Sequence, residues 1–361
     1  MTSKRKMIVL GTSTDETGRE WDIGIPLEDL TTHAFMFGTT GSGKSTALKN
    51  MAIQTFALGA STAILEPHGD LCLDVLQAVP NNALERIVYL AIDSTQPPTI
   101  PLMTFGLGGG LDVGVSAVMG VLRMAEPASW KQATRMREVL RHAIRVVLDA
   151  QGWNASLISL DRFLTQGQES FQEAVLAQSS EEIFKSSDYC RHNVLPALAG
   201  EKGTSSMLNS IKAAQRRMEI FVNDRRLRRT LAVPPLGPRI DLRELLTGGR
   251  MVLAPVNKSA IGSRAAPLVS MLFMQMVQSA FLGRVDQSQR HQAALIIDEF
   301  AAMAGGKKAG SVVSDITETL LAEARKFGAS LILATQSAAQ LPRDVRTEVQ
   351  INTNAKIILL V

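Results

Sequence analysis

Cysteine is scarce in this chain: Cys72 and Cys190 stand far apart, and neither has a second ligand at metal-binding spacing. That excludes a disulfide framework and points to a reducing compartment. Aromatic residues are also few, at 5%, against 45% apolar residues overall, a balance that fits a soluble α/β protein. Neither sign of charge dominates: the formal net charge is only +4. The molecule as a whole is therefore no polycation, and any nucleic-acid surface must come from local clustering. Long hydrophobic runs are missing too. Lys4, Arg5 and Lys6 precede only Met7-Ile8-Val9-Leu10 before Gly11, which is no signal peptide. The best membrane candidate, Pro267 to Gly283, is broken by Gln275, Gln278 and Ser279. It falls short of the roughly 20 apolar residues a span needs and reads as a buried amphipathic helix. A soluble, cytoplasmic chain without repeats or a low-complexity tail is expected.

What is present is organised. At 361 residues the chain exceeds one simple core and implies two domains, or one domain carrying a large insertion. Strand-like runs cluster at both ends: Met7–Leu10, Ala34–Phe37, Thr62–Leu65 and Arg86–Ala91, then Arg250–Pro255, Ala293–Asp298, Ser330–Thr335 and Ala355–Val361. Most are continuously apolar, as expected of parallel strands covered on both faces. Helical patterns at Lys44–Leu58, Leu71–Val79, Ser263–Leu282 and Ser314–Phe327 separate them and read as βαβ units.

The middle differs. From about Val113 to Leu231 the periodicity is helical, and Trp130–Leu148 sets Val139, Leu140, Ala143, Ile144 and Val147 on one face. Gly106–Gly110 opens this region and Pro234–Pro238 closes it. The expected fold is α/β: a domain with a mostly parallel sheet, in two parts at 1–112 and 232–361, interrupted by an all-helical domain at 113–231. The chain stops inside the apolar run Lys356–Val361, so the second part is expected to be truncated at its C-terminus.

Residues Gly38-Thr39-Thr40-Gly41-Ser42-Gly43-Lys44-Ser45 spell G-x-x-x-x-G-K-S between a strand-like and a helical run. That order turns the pattern into a phosphate-binding loop. Glycines let backbone N–H groups turn inward around phosphates, and the helix start adds partial positive charge. The expectation is an ATP site lined by Gly38 through Thr46, including Thr39, Thr40, Gly41, Ser42 and Gly43. Lys44 would reach the β- and γ-phosphates, and Ser45 would ligate Mg²⁺.

Ala294-Leu295-Ile296-Ile297-Asp298-Glu299 is an apolar run ending in two acids. Asp298 would hold Mg²⁺ through water, and Glu299 would polarise the attacking water. Leu331–Ser337 is a similar run, and its Gln336 would sense the γ-phosphate or merely cap the next helix. Arg325 ends the preceding helical pattern. Two readings of it stand: a basic residue favourable to the helix dipole, or an arginine finger reaching a neighbouring subunit.

These blocks, together with Glu66-Pro67-His68-Gly69-Asp70-Leu71, Ile240-Asp241-Leu242 and Glu323–Lys326, resemble the FtsK–HerA superfamily of DNA-pumping ATPases. Within it the chain looks most like the conjugative coupling ATPases of type IV secretion, the TraG/TraD-like proteins. The resemblance implies a RecA-like domain and a homo-hexamer in the full-length parent, with a monomer the alternative for this fragment. It further implies ATP hydrolysis at subunit interfaces with Arg325 supplied in trans, and DNA moved through a central channel. His33, before the phosphate-loop strand, matches a position often filled this way in the family, or simply marks a polar strand entry. Glu66 departs from the usual Asp. The membrane helices usual in coupling proteins have no counterpart here, which implies a soluble relative or an anchor lost from the inner face of the bacterial membrane.

Lys212, Arg216, Arg217, Arg225, Arg226, Arg228 and Arg229 crowd one stretch, opposed by Glu219 and Asp224. Such a stretch offers sequence-blind, salt-sensitive contact with DNA phosphates, a solvated helix face, or a dock for acidic partners. The functions in competition are a DNA-coupling motor, a secretion-assembly ATPase, a HerA-like helicase, and an ATP-gated platform for relaxosome or secretion proteins.

Overall fold

The computed structural model describes residues 6–94, 98–234, 240–263, 265–284, 290–304 and 310–359. Two compact units emerge, one from the described residues up to Asp93 and from Asp241 onward, the other from Ser94–Ile240.

In the first unit, β1 (Met7–Thr14) and β2 (Glu20–Pro26) form an antiparallel hairpin. The remaining strands are β3 (Ala34–Gly38), β4 (Ser61–Glu66), β5 (Ile87–Tyr89), β6 (Met251–Pro255), β7 (Ala293–Ile297), β8 (Ala329–Thr335) and β9 (Ala355–Leu359). They make one parallel sheet of order β5-β6-β4-β7-β8-β3-β9. Helices cross between successive strands, so the sheet is covered and its central strands are apolar throughout. β4, β6, β7 and β8 are buried at every position. Helix α1 (Lys44–Ala57) lays Leu48, Met51 and Ala52 on Met36, Ile64 and Ile296. Each large apolar side chain buried there contributes roughly 1.5–3 kcal/mol by leaving water.

Three sequence expectations change. Met7–Leu10 does not join the parallel sheet, because Glu20–Pro26 supplies an alternating partner strand carrying Trp21, Ile23 and Ile25. The Asp15 carboxylate closes the hairpin turn by accepting the N–H groups of Thr17 at 2.8 Å and Arg19 at 3.0 Å. The run at Ala355–Leu359 is an edge strand, not a core strand, with Lys356 and Ile358 exposed. Leu360, Val361 and the expected boundary residues Pro235–Pro238 lie outside the described residues. The third change is the helix Ala265–Leu282, which is buried on nearly every face rather than amphipathic. Among the described residues it alone is long and apolar enough to cross a membrane, with 72% of its 18-residue window buried in the protein.

In the second unit, helices Leu111–Ala125, Thr134–Gln151 and Ser205–Asn223 pack on one another. The stripe Val139, Leu140, Ala143, Ile144 and Val147 is fully buried, though the helix starts at Thr134 rather than Trp130. The unit reaches back before Val113 because Ile100 N–H donates to Thr230 O at 2.7 Å and Leu102 N–H to Leu231 O at 3.1 Å. Arg217 does not belong to the basic surface. It is buried, with Nη1 3.3 Å from Glu126 Oε2, Nη2 donating to Ser129 Oγ at 2.5 Å, and its guanidinium over Trp130. Lys212, Arg216, Arg225, Arg226, Arg228 and Arg229 are exposed.

Candidate functional site

The phosphate-loop sequence turns back over the tip of β3 before α1 begins. Gly41 and Gly43 take φ of 87° and 86°, where a side chain would clash with its own backbone. Ser42 closes the turn by donating its N–H and hydroxyl to Thr39 O at 3.2 and 2.8 Å. Among the described residues no side chain caps the start of α1, so its first N–H groups and positive dipole end face the loop. Lys44, the first residue of α1, is only 7% exposed, whereas Ser45 and Thr46 are exposed.

Sheet order then decides what Lys44 meets. β8 lies between β3 and β7, with Thr335 opposite Phe37 and Leu333 opposite Ile297. The residues after these three strands therefore converge at the carboxyl edge of the sheet, where open α/β folds bind ligands. Lys44 Nζ donates to Glu299 Oε1 at 2.6 Å and stands 3.5 Å from Asp298 Oδ1. Gln336 Nε2 donates to the same Glu299 oxygen at 2.6 Å, and Thr40 Oγ1 donates to Gln336 Oε1 at 3.3 Å. Glu299 carries φ of 49°, uncommon for a residue with a side chain. Its N–H donates to Asp298 Oδ1 at 2.8 Å, so both acids turn toward one ammonium.

Burial pushes the Asp298 carboxyl above its usual range, the Lys44 ammonium and the Glu299 N–H pull it back, and the Glu299 carboxylate pushes it up again. A buried cation shared by two acids is the arrangement in which burial cost is offset by pairing. The Asp298 carboxylate, and the exposed hydroxyl of Ser45 on the residue after Lys44, are oxygen donors of the kind that suits a hard divalent cation. Among the described residues no cluster of three or more His, Cys, Asp or Glu side chains could hold a metal alone, so a Mg²⁺ here would need phosphate oxygens and water to complete its shell.

Glu66, at the tip of β4 beside β7, is buried. Its carboxylate accepts the N–H groups of His68 at 3.2 Å and Cys72 at 3.4 Å, folding the Pro-His-Gly-Asp segment over the start of helix α2 (Asp70–Ala78). Burial pushes its carboxyl upward against those N–H groups, and Asp298 adds to the push. Arg325 is elsewhere. It is exposed on the turn Ala324–Phe327 before β8, at the opposite end of that strand from Gln336. Seven strand residues separate the two, roughly 23 Å of rise. His33, for which the sequence left a family position or a polar strand entry open, is buried, and its ring nitrogens meet main-chain groups on both sides of the Arg325 turn.

A parallel sheet with a phosphate loop at one strand tip, and acids and an amide at its neighbours, defines the class of RecA-like α/β proteins. A family model for the central domain of the HerA helicase matches residues 8–234, and the chain belongs to that family. No curated protein matches the sequence. Among solved structures it is similar to the bacterial conjugative coupling protein TrwB lacking its first 70 residues, with 15% identity, a TM-score of 0.62, and cover of 99% of this chain and 72% of that one. TrwB in complex with ADP and Mg²⁺ matches at 14% identity and a TM-score of 0.56, covering 96% and 73%. VirB4 of Thermoanaerobacter pseudethanolicus matches at 14% identity and a TM-score of 0.53, covering 97% and 83%. At these identities the likeness is one of fold.

Proposed function

We propose that this chain is an ATP-hydrolysing motor of the type IV secretion and conjugation class, coupling or translocating DNA or DNA–protein cargo. The observation that carries the reading is the meeting of Lys44, Asp298, Glu299 and Gln336 in one crevice beside the phosphate loop. The TrwB structure with ADP and Mg²⁺ supports nucleotide and metal for this site. The loop N–H groups and Lys44 would hold the β- and γ-phosphates. Ser45 and Asp298 would hold Mg²⁺, which when bound neutralises charge on the phosphate oxygens.

Glu299 accepts a proton from the attacking water as its oxygen bonds to the γ-phosphorus. The bond to the bridging oxygen breaks, ADP leaves with that electron pair, and inorganic phosphate remains. Gln336 donates to the γ-phosphate and, through β8, links the pocket to the turn carrying Arg325. Because Arg325 lies far from its own pocket, it serves a neighbouring subunit's pocket in a ring. Residues 113–231 act as a helical domain, and the exposed basic face running from Lys212 to Arg229 contacts DNA phosphates without reading sequence. The motor works on the cytoplasmic side, at the inner face of the bacterial membrane.

ATP turnover with and without DNA at low salt tests the reading. DNA should raise turnover, and Lys44→Ala should remove basal and stimulated rates alike. A protein that neither binds DNA nor responds to it, yet hydrolyses ATP, is not this motor.

A further inference from the structure

His33 stands just before β3, and its imidazole is 2% exposed. Leu331 N–H donates to Nδ1 at 3.0 Å, and Nε2 lies 3.1 Å from Leu321 O. Since Nδ1 accepts, the proton sits on Nε2 and is donated to Leu321, so the neutral ring uses both nitrogens. The two partners belong to different elements. Leu321 is in the helix Gly310–Glu323, and Leu331 is near the start of β8. One ring thus brackets the segment 322–330 that contains Arg325. The β3–β8 ladder begins at Ala34 opposite Ile332, and the ring takes the rung just before it.

The backbone of His33 carries the same message. Its φ of 64° and ψ of 154° lie where residues with side chains are seldom found. Glycine would adopt that conformation freely, so a side chain kept there needs contacts that hold it. On the other side of β3, His33 O accepts the N–H of Ala355 at 3.3 Å. Main-chain groups from three neighbouring segments therefore converge on this residue, and each connects to the strand that ends in the phosphate loop.

We infer that His33 is a positioning residue for Arg325: its imidazole fixes the Arg325 turn to the sheet that carries the phosphate loop and Gln336. The finger offered to one subunit then keeps register with the pocket of its own. The inference rests on the trans-arginine reading given above.

Substitutions can separate the two contacts. Gln extends an N–H toward Leu321 O, Asn offers an oxygen to Leu331 N–H, and Ala does neither. At φ 64° and ψ 154° neither Asn nor Gln sits readily, so a purely structural role lets activity follow thermal stability in both variants. A positioning role separates activity from stability. His33→Gln should keep near-normal DNA-stimulated kcat, while His33→Asn loses at least about 10-fold with KM for ATP unchanged.

A nitroxide on Lys326→Cys, made selective by the burial of Cys72 and Cys190, should stay immobile in the wild type and in His33→Gln. In His33→Asn and His33→Ala it should gain mobility. In an Arg325→Ala background, His33→Asn should cost nothing further. The inference is overturned by a label equally immobile in every variant, by kcat that follows thermal stability, or by Arg325→Ala with normal turnover while Lys44→Ala is dead. A wild type without ATP turnover overturns the motor reading instead, and the nitroxide then decides the role of His33 alone.

Discussion

Lys44 Nζ lies 2.6 Å from Glu299 Oε1, so the cation of the phosphate loop and the acid after β7 are hydrogen-bonded to each other. The same carboxylate oxygen accepts from Gln336. On the proposed reading, a phosphate that reaches Lys44 competes with this acid and would leave Glu299 free to act as the base. The one contact would then tie nucleotide affinity to catalytic readiness.

Glu299→Gln should separate those two effects. Turnover should fall about 10²–10⁴-fold through loss of the base. ATP should bind at least as tightly, because a neutral amide competes less for Lys44. Fluorescent-nucleotide titration beside steady-state turnover checks both halves, and weaker binding would contradict the competition.

Lys44→Ala should weaken ATP binding roughly 10- to 100-fold, since a hydrogen bond to a charged group is worth about 1.5–3 kcal/mol. It should also cost about 3 kcal/mol of stability, because the buried Asp298 and the half-buried Glu299 lose their cation. Adding Glu299→Gln should restore part of that loss. Urea unfolding midpoints decide; no recovery in the double variant would mean the pair adds nothing to the fold.

Arg325→Ala should lower kcat about 10³–10⁵-fold with nucleotide affinity unchanged. Mixing it with Lys44→Ala subunits should recover part of the rate, as an intact pocket then meets an intact finger from its neighbour. Two inactive variants that remain inactive after subunit exchange would argue for a role within one subunit.

Arg216 and Arg217 are neighbours with opposite fates. Arg217→Ala should destabilise the protein by about 2 kcal/mol, by removing a buried guanidinium from Ser129, Glu126 and Trp130. Arg216→Ala should change stability by less than about 0.5 kcal/mol and reduce the salt slope of DNA binding by about one. Melting curves and salt titrations read the contrast.

Burial holds His33 below its ordinary value of 6.5, opposed by the Leu321 carbonyl and reinforced by the charge of Arg325. The folded chain therefore carries fewer protons at this ring than the unfolded chain below pH 6.5. Stability contributed by the neutral ring is fully present above that value and falls as the solution is acidified, by up to about 1.4 kcal/mol per pH unit. His33→Gln should flatten this part of the stability profile. A slope identical to wild type would assign the acid loss to other groups.

Much of the fold could be read locally. Continuous apolar runs marked the central strands because a strand covered on both faces has no polar side to show. The phosphate loop was legible because its glycines and lysine act within eight consecutive residues. The hairpin partner Glu20–Pro26 was not legible as an apolar run, because Trp21, Ile23 and Ile25 alternate with Glu20, Asp22 and Gly24. Arg217 looked like surface because neighbouring arginines share a composition but not a helix face.

What the residues determined unaided was therefore local: strand against helix, the loop's capacity for phosphate, and acids and an amide at strand ends. Only the three-dimensional arrangement decided that β8 runs between β3 and β7, which brings Lys44, Glu299 and Gln336 within bonding distance while leaving Arg325 at the far end of the sheet. The reason is that side-chain periodicity is set by neighbours along the chain, whereas strand order is set by hydrogen bonds and packing between segments hundreds of residues apart.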